Sequence, residues 1–157
     1  MRDIIIAVIS MICGGGILMA TAGKSLLEQL EKERQRANRN GLMFRAMTRW
    51  VRLRQKGINL GDELARRGYH HIAIYGMSSV GECLLEELRD TEVSVDYGID
   101  RNAKNLYACI DLCTPDEELK PVDAVVVTVL GYFDEVEDLL TKRLDCPILA
   151  LDDLMYQ

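Results

Sequence analysis

The stretch IAIYGMSSVGECLLEEL, Ile72 to Leu88, decides the fold. Apolar residues lead into Gly76, and beyond Ser79 they recur at Val80, Cys83, Leu84 and Leu88, the spacing of one helix face. A strand passing through a tight glycine turn into a helix opens many nucleotide-binding domains. Gly76 permits the turn and Gly81 permits close packing of the helix on the sheet, but Ser78 stands where the G-x-G-x-x-G pattern has its second glycine. Its Cβ crowds a pyrophosphate, while its hydroxyl can donate to a phosphate oxygen. Free N–H groups at the helix start make an anion site.

Asp100 ends the next strand nineteen residues after Gly81, close to the roughly 20 expected of an acid that accepts hydrogen bonds from a ribose diol. The candidate cofactor-binding set is therefore the turn Gly76, Met77, Ser78, Ser79 and Gly81, then Asp100, the adjoining Arg101 that could pair with a 2′-phosphate, and Thr128 at the end of a later strand. The expected ligand is NAD or a nucleotide sugar. In the alternative, the glycines only make a compact turn and Asp100 caps the loop DRNAKN.

Strands and helices alternate from Tyr69 onward, which predicts an α/β domain with a mainly parallel sheet. Strands are expected over His71–Tyr75, VSVDYGID, Ala108–Leu112, DAVVVTVL and CPILAL, the fourth buried on both faces. Helices are expected from Ser79 to Arg89, from Thr114 through TPDEEL, from Phe133 to Leu144 and at DDLMY. Right-handed crossovers then give a small Rossmann-like sheet of order 3-2-1-4-5.

The net charge of −6 hides a split: residues 1–68 hold 13 Lys and Arg against 6 Asp and Glu, residues 69–157 hold 6 against 19. So acidic a half argues against nucleic acid as a partner. Ile4 to Ala22, IIIAVISMICGGGILMATA, is nineteen residues without a charge, near the ~20 that cross a bilayer as a helix. It is read as a membrane anchor, with a signal peptide cut after Ala20-Thr21-Ala22 and a buried helix as alternatives. Ten Lys and Arg against three Glu between Lys24 and Lys56 place the following domain on the cytoplasmic side of the cell membrane, single-pass.

The expected organisation is an anchor over 1–23, a basic amphipathic helical region over 24–68 and a Rossmann-like domain over 69–157. Within the second, one helix ends near Asn38–Gly41 and a second buries Met43, Met47, Trp50 and Val51, its basic face turned either to anionic lipid or to solvent. Asn59 opens a further short helix.

Cys13, Cys83, Cys109, Cys113 and Cys146 follow no disulfide or zinc spacing, so free and mostly buried thiols are expected, with no metal. His70 and His71 are adjacent on a strand and point to opposite faces, so they do not chelate together. Tyr132 falls at a strand's C-terminal end, where ligands bind in such sheets, but no lysine follows it at helical spacing; it is read as packing or lining. No catalytic residue is assigned.

The segments RWVRLRQKG, LARRGYHHIAIYGMSSVGECLLEEL, VDYGIDRN and VDAVVVTVL resemble the small Rossmann-like domains encoded in bacterial capsule and exopolysaccharide gene clusters, alone or fused to glycosyltransferases. The resemblance spans roughly Trp50 to Leu154. The family's usual turn is Gly-Met-Gly, so Ser78 departs from it. Implied by the resemblance are an accessory or regulatory role in surface-polysaccharide synthesis and a protein partner such as a glycosyltransferase. Two rival readings are a NAD-dependent sugar-modifying enzyme subunit that needs a partner, and a ligand-free scaffold that binds proteins.

Overall fold

The structure, a computed structural model, describes the backbone over residues 2–156 and the side chains from residue 26 onward. Two compact units divide the chain, Met1–Gly41 and Leu42–Gln157. Helix α1, Arg2–Gln55, runs without a break through Asn38–Gly41, where the sequence predicts an end. In the first unit residues 26–38 are exposed, Leu26, Leu27 and Leu30 among them, and Arg36 pairs with Glu33 at 2.8 Å.

The membrane-spanning helix expected over Ile4–Ala22 is corrected. Its side chains lie outside the described residues, and among the described residues no helix is long and apolar enough to cross a membrane. From Glu28 to Arg54, α1 carries a charge at nearly every turn, each costing about 3 kcal/mol at a bilayer centre. The single-pass cell-membrane location with a cytoplasmic domain, and the membrane as partner, go with that helix.

The second unit holds α2 (Leu60–Arg66), β1 (His71–Tyr75), α3 (Ser79–Leu88), β2 (Ser94–Ile99), β3 (Leu112–Cys113), β4 (Ala124–Val127), α4 (Phe133–Leu140), β5 (Ile148–Ala150) and α5 (Leu151–Leu154). All five strands are parallel in the order β3-β2-β1-β4-β5, a Rossmann-like topology. Asp96 is skipped in the pairing of β1 with β2, which brings Tyr97 opposite Ala73.

Alternation along β1 and β4 builds two cores. Ile72, Ile74, Ala124 and Val126 face Val80, Leu84 and Leu88 of α3, Leu60 and Leu64 of α2, Leu151 and Leu154 of α5, and Trp50. On the other face Ala73, Tyr75, Val125 and Val127 meet Tyr97, Ile99, Val136, Leu140 and Leu144. Burial of every β4 residue explains its unbroken valines.

Three local expectations give way to packing. No helix forms at TPDEEL: only Glu117 N–H reaches Thr114 C=O, at 3.1 Å. Pro121 disfavours helical backbone at Lys120, leaving too few residues to repay nucleation before β4. At the end of α1 the buried residues are Ala46 and Trp50, with Met47 and Leu53 partly covered, while Met43 and Val51 stay exposed. Cys83 and Cys109 are exposed and Cys113 and Cys146 half-buried, so the thiols are more open than expected.

Glu87 of α3 ties the helices of the second unit together. Its Oε2 accepts from Trp50 Nε1, its Oε1 accepts from the Leu60 N–H at 2.9 Å, and Arg54 lies 3.8 Å away. Asn59 completes the α2 cap by accepting from Gly61 N–H at 2.6 Å. Glu87→Ala should lower the unfolding free energy by about 2–3 kcal/mol, since two donors lose one shared acceptor. Urea denaturation followed by fluorescence of Trp50, the one tryptophan, measures it. A change within about 0.5 kcal/mol, as for ordinary surface substitutions, would remove Glu87 from that role.

Tyr97 carries a pH dependence. Burial first, then the neighbouring Cys113, Cys146 and Asp96, push its phenol up to about 12, and its hydroxyl donates to Lys120 C=O at 2.6 Å. The native state keeps a proton that the unfolded chain releases near pH 10, so the stabilisation is whole below pH 10 and lost as pH climbs toward 12. The loss should be on the order of 2 kcal/mol. Tyr97→Phe should flatten that stretch of the stability profile.

Candidate functional site

The turn after β1 is clamped on three sides. Gly76 N–H donates to Ile99 C=O at 2.8 Å, Thr128 N–H donates to Tyr75 C=O at 2.9 Å, and Thr128 Oγ1 donates to Gly76 C=O at 2.6 Å with Tyr75 C=O at 3.1 Å. Gly76 has φ +96°, a region that L side chains avoid, and a Cβ there would lie 2.4 Å from Val129 Cγ2. At Gly81 a Cβ would lie 2.3 Å from Gly76 O, so the helix approaches the turn more closely than any side chain allows.

Asp100 joins this turn. Its Oδ2 accepts from Met77 N–H at 2.9 Å and its Oδ1 from Asn102 N–H at 2.8 Å, binding the ends of β1 and β2 together. The Met77 side chain is buried against Gly81 and Gly98. Ser78 is the N-cap of α3, exposed, in extended backbone (φ −83°, ψ −173°), and its hydroxyl makes no capping bond. That leaves Ser78 Oγ and the first N–H groups of α3 without helical partners.

A cavity of about 450 Å³ opens at the C-terminal ends of β1, β2 and β4, lined by Tyr75, Gly76, Ser78, Asp100, Arg101, Val129, Tyr132 and Val136. Tyr75 is 3% exposed, and its buried hydroxyl faces Arg101 beyond full hydrogen-bond geometry, with no closer partner among the described residues. The Tyr75 hydroxyl foremost, with Glu135 and Tyr132 adding against a small opposing effect of burial, pushes the Arg101 guanidinium above its ordinary pKa. The two phenols, one guanidinium and one carboxylate sit around an apolar floor, an arrangement suited to a flat heterocycle with polar substituents.

Of the residues singled out from the sequence, Gly76, Ser78, Asp100 and Arg101 line this cavity, as does Tyr132. Met77, Ser79, Gly81 and Thr128 do not; Met77, Gly81 and Thr128 shape the turn from beneath, and Ser79 is the exposed first residue of α3. Thr128 is 2% exposed and spends its hydroxyl on the turn's carbonyls. Sequence reasoning missed Tyr75, Val129 and Val136. Alternation in β1 was the available signal for Tyr75, since it must face away from Ile74. Among the described residues no cluster of His, Cys, Asp and Glu could hold a metal ion. His70 and His71 lie at the opposite ends of the strands, where their N–H groups donate to Asp123 at 2.8 and 2.7 Å and hold its carboxyl below the usual range.

No protein-family model, curated protein or solved structure matches this chain. The fold is consistent with nucleotide binding in general. The role in surface-polysaccharide synthesis, with a glycosyltransferase beside it, is corrected together with the membrane tether it was joined to: no membrane-crossing helix stands among the described residues, and no matched relative supplies that pathway.

Two substitutions separate the close approach from the cap. Gly81→Val should displace α3 and lower the thermal midpoint sharply, whereas Ser78→Gly should change stability by only about 0.5 kcal/mol or less. Thr128→Val should cost about 1–3 kcal/mol by stripping buried carbonyls of their donor. Urea and thermal denaturation of the three variants measure the order; equal effects at residues 78 and 81 would contradict it.

Proposed function

We propose that this chain is a nucleotide-binding module for a ribonucleotide of the NAD class, forming the nucleotide side of an enzyme whose reacting groups come from a partner protein. The cavity at the C-terminal ends of β1, β2 and β4 carries this reading. Its size falls in the lower part of the roughly 300–1,000 Å³ range of small-molecule sites. Val129 and Val136 with the rings of Tyr75 and Tyr132 accommodate a flat base. Each Asp100 oxygen accepts one backbone N–H and keeps a lone pair for a ribose hydroxyl. Ser78 Oγ and the start of α3 receive phosphate, and the Ser78 Cβ keeps that contact loose. No His, Cys or Lys lines the cavity, so a partner is needed to complete the chemistry. The resemblance of the turn and strands to small Rossmann-like domains supports the same ligand class.

One observation favours a second reading. Asp100 already has a structural duty in binding Met77 and Asn102, which is what a ligand-free scaffold requires of it. Calorimetric titration with NAD, NADP and a uridine-diphosphate sugar decides between them. NAD should bind weakly, Ser78→Gly should tighten it by about 1 kcal/mol, and Asp100→Asn should reduce the preference for NAD over NADP. If neither the parent nor Ser78→Gly takes up any of the three ligands, the scaffold reading stands.

A further inference from the structure

A second recess lies within the Leu42–Gln157 unit, away from the strand ends. It holds about 380 Å³ and is lined by Phe44, Arg45, Thr48, Arg49, Arg52, Asp152 and Tyr156 among others. Arg45, Arg49 and Arg52 follow one another at i, i+4 and i+7 on α1, so they form a row on one helix face. From Leu42 to Gly61 the sequence contains no acidic residue.

The central arginine is fixed in place. Arg49 Nε donates to Met155 C=O at 2.6 Å, and its guanidinium stacks 3.6 Å above the Tyr156 ring. Arg45 and Arg52 are exposed and make no hydrogen bond or ion pair among the described residues. Asp152 is the recess's own acid, with Oδ1 buried and unpartnered. Burial and the adjoining Asp153 push its carboxyl up, and Arg49 and Arg45 oppose them. Three guanidiniums and one carboxylate line the recess, so its lining keeps a positive excess even with Asp153 adjoining. Phe44 and Tyr156, 73% and 65% exposed, stand at its sides.

We infer that this recess is a docking site for a short acidic segment of a partner protein, its carboxylates meeting Arg45, Arg49 and Arg52 and an apolar side chain resting on Phe44 and Tyr156. Arg45 and Arg52 are seven residues apart, about 10 Å along the helix axis. That spread suits a row of carboxylates on a peptide and is too long for one phosphate. Arginine beside exposed aromatic rings is also the composition of protein-interface anchors. The surroundings set a limit on length. Residues 42–157 hold 13 Lys and Arg against 21 Asp and Glu, so a long polyanion such as nucleic acid meets repulsion beyond the recess, while a short segment stays within it.

The test is fluorescence anisotropy of a labelled short peptide that alternates glutamate with alanine and carries a central phenylalanine, titrated with the full chain. Binding should weaken as salt rises, and the same peptide with glutamine for glutamate should not bind. Arg45→Glu with Arg52→Glu should reduce affinity roughly tenfold or more, as reversal of two contacting charges does, and should bind the lysine version of the peptide instead. Circular dichroism and the thermal midpoint should stay at the parent's values, and Arg45→Gln with Arg52→Gln should give a smaller loss in the same direction. Equal binding of the glutamate peptide by parent and charge-reversed chain overturns the proposal. So does tighter binding of inorganic phosphate or of a single-stranded oligonucleotide than of the peptide. NAD titration of the charge-reversed chain should match the parent, which keeps this outcome separate from the nucleotide reading.

Discussion

The closeness of α3 to the β1 turn governs the second unit: a single Cβ at Gly81 would fall 2.3 Å from the Gly76 carbonyl. That contact seats Leu84 and Leu88 against Ile72 and Ile74 and brings Glu87 to the start of α2 and the ring of Trp50. It also aims the first turn of α3 at the cavity between β1, β2 and β4. Side chains beyond the contact then hold it. Asp100 directly follows β2 and Thr128 directly follows β4, and each side chain bonds the turn's backbone where no strand pairing reaches it. Core packing and site geometry are thus one constraint read from two sides.

Charge is distributed with equal economy. Acidic residues crowd the sheet domain, and three of them join its elements by accepting backbone or indole N–H groups: Asp100 at the turn, Asp123 beneath β1, Glu87 at the helix junction. Such bonds are charge-assisted, and those of Glu87 and of Asp100 to Met77 lie in partly buried surroundings, where salt screens them less than at exposed Asp123. The arginines at the end of α1 are arranged differently. Arg49 is held by a carbonyl and a ring, and its neighbours Arg45 and Arg52, both exposed, make no ion pair among the described residues.

Periodicity determined the alternation of strands and helices around the glycine turn, because burial of one face or both leaves its period in the chain, and the right-handed crossover rule then set the parallel order β3-β2-β1-β4-β5. Gly76, Ser78, Asp100 and Arg101 were legible as a set for the same reason: a strand–turn–helix unit fixes where its ends meet. The tertiary structure decided what each residue does there. It turned Thr128 and Met77 into supports, committed Asp100 to two N–H groups, and brought in Tyr75, Val129 and Val136 from elements that only the folded sheet makes neighbours. It also joined two expected helices into α1 and denied one at TPDEEL. Local propensity is worth only tenths of a kcal/mol per residue, and at TPDEEL the limit that Pro121 sets on helix length outweighs it.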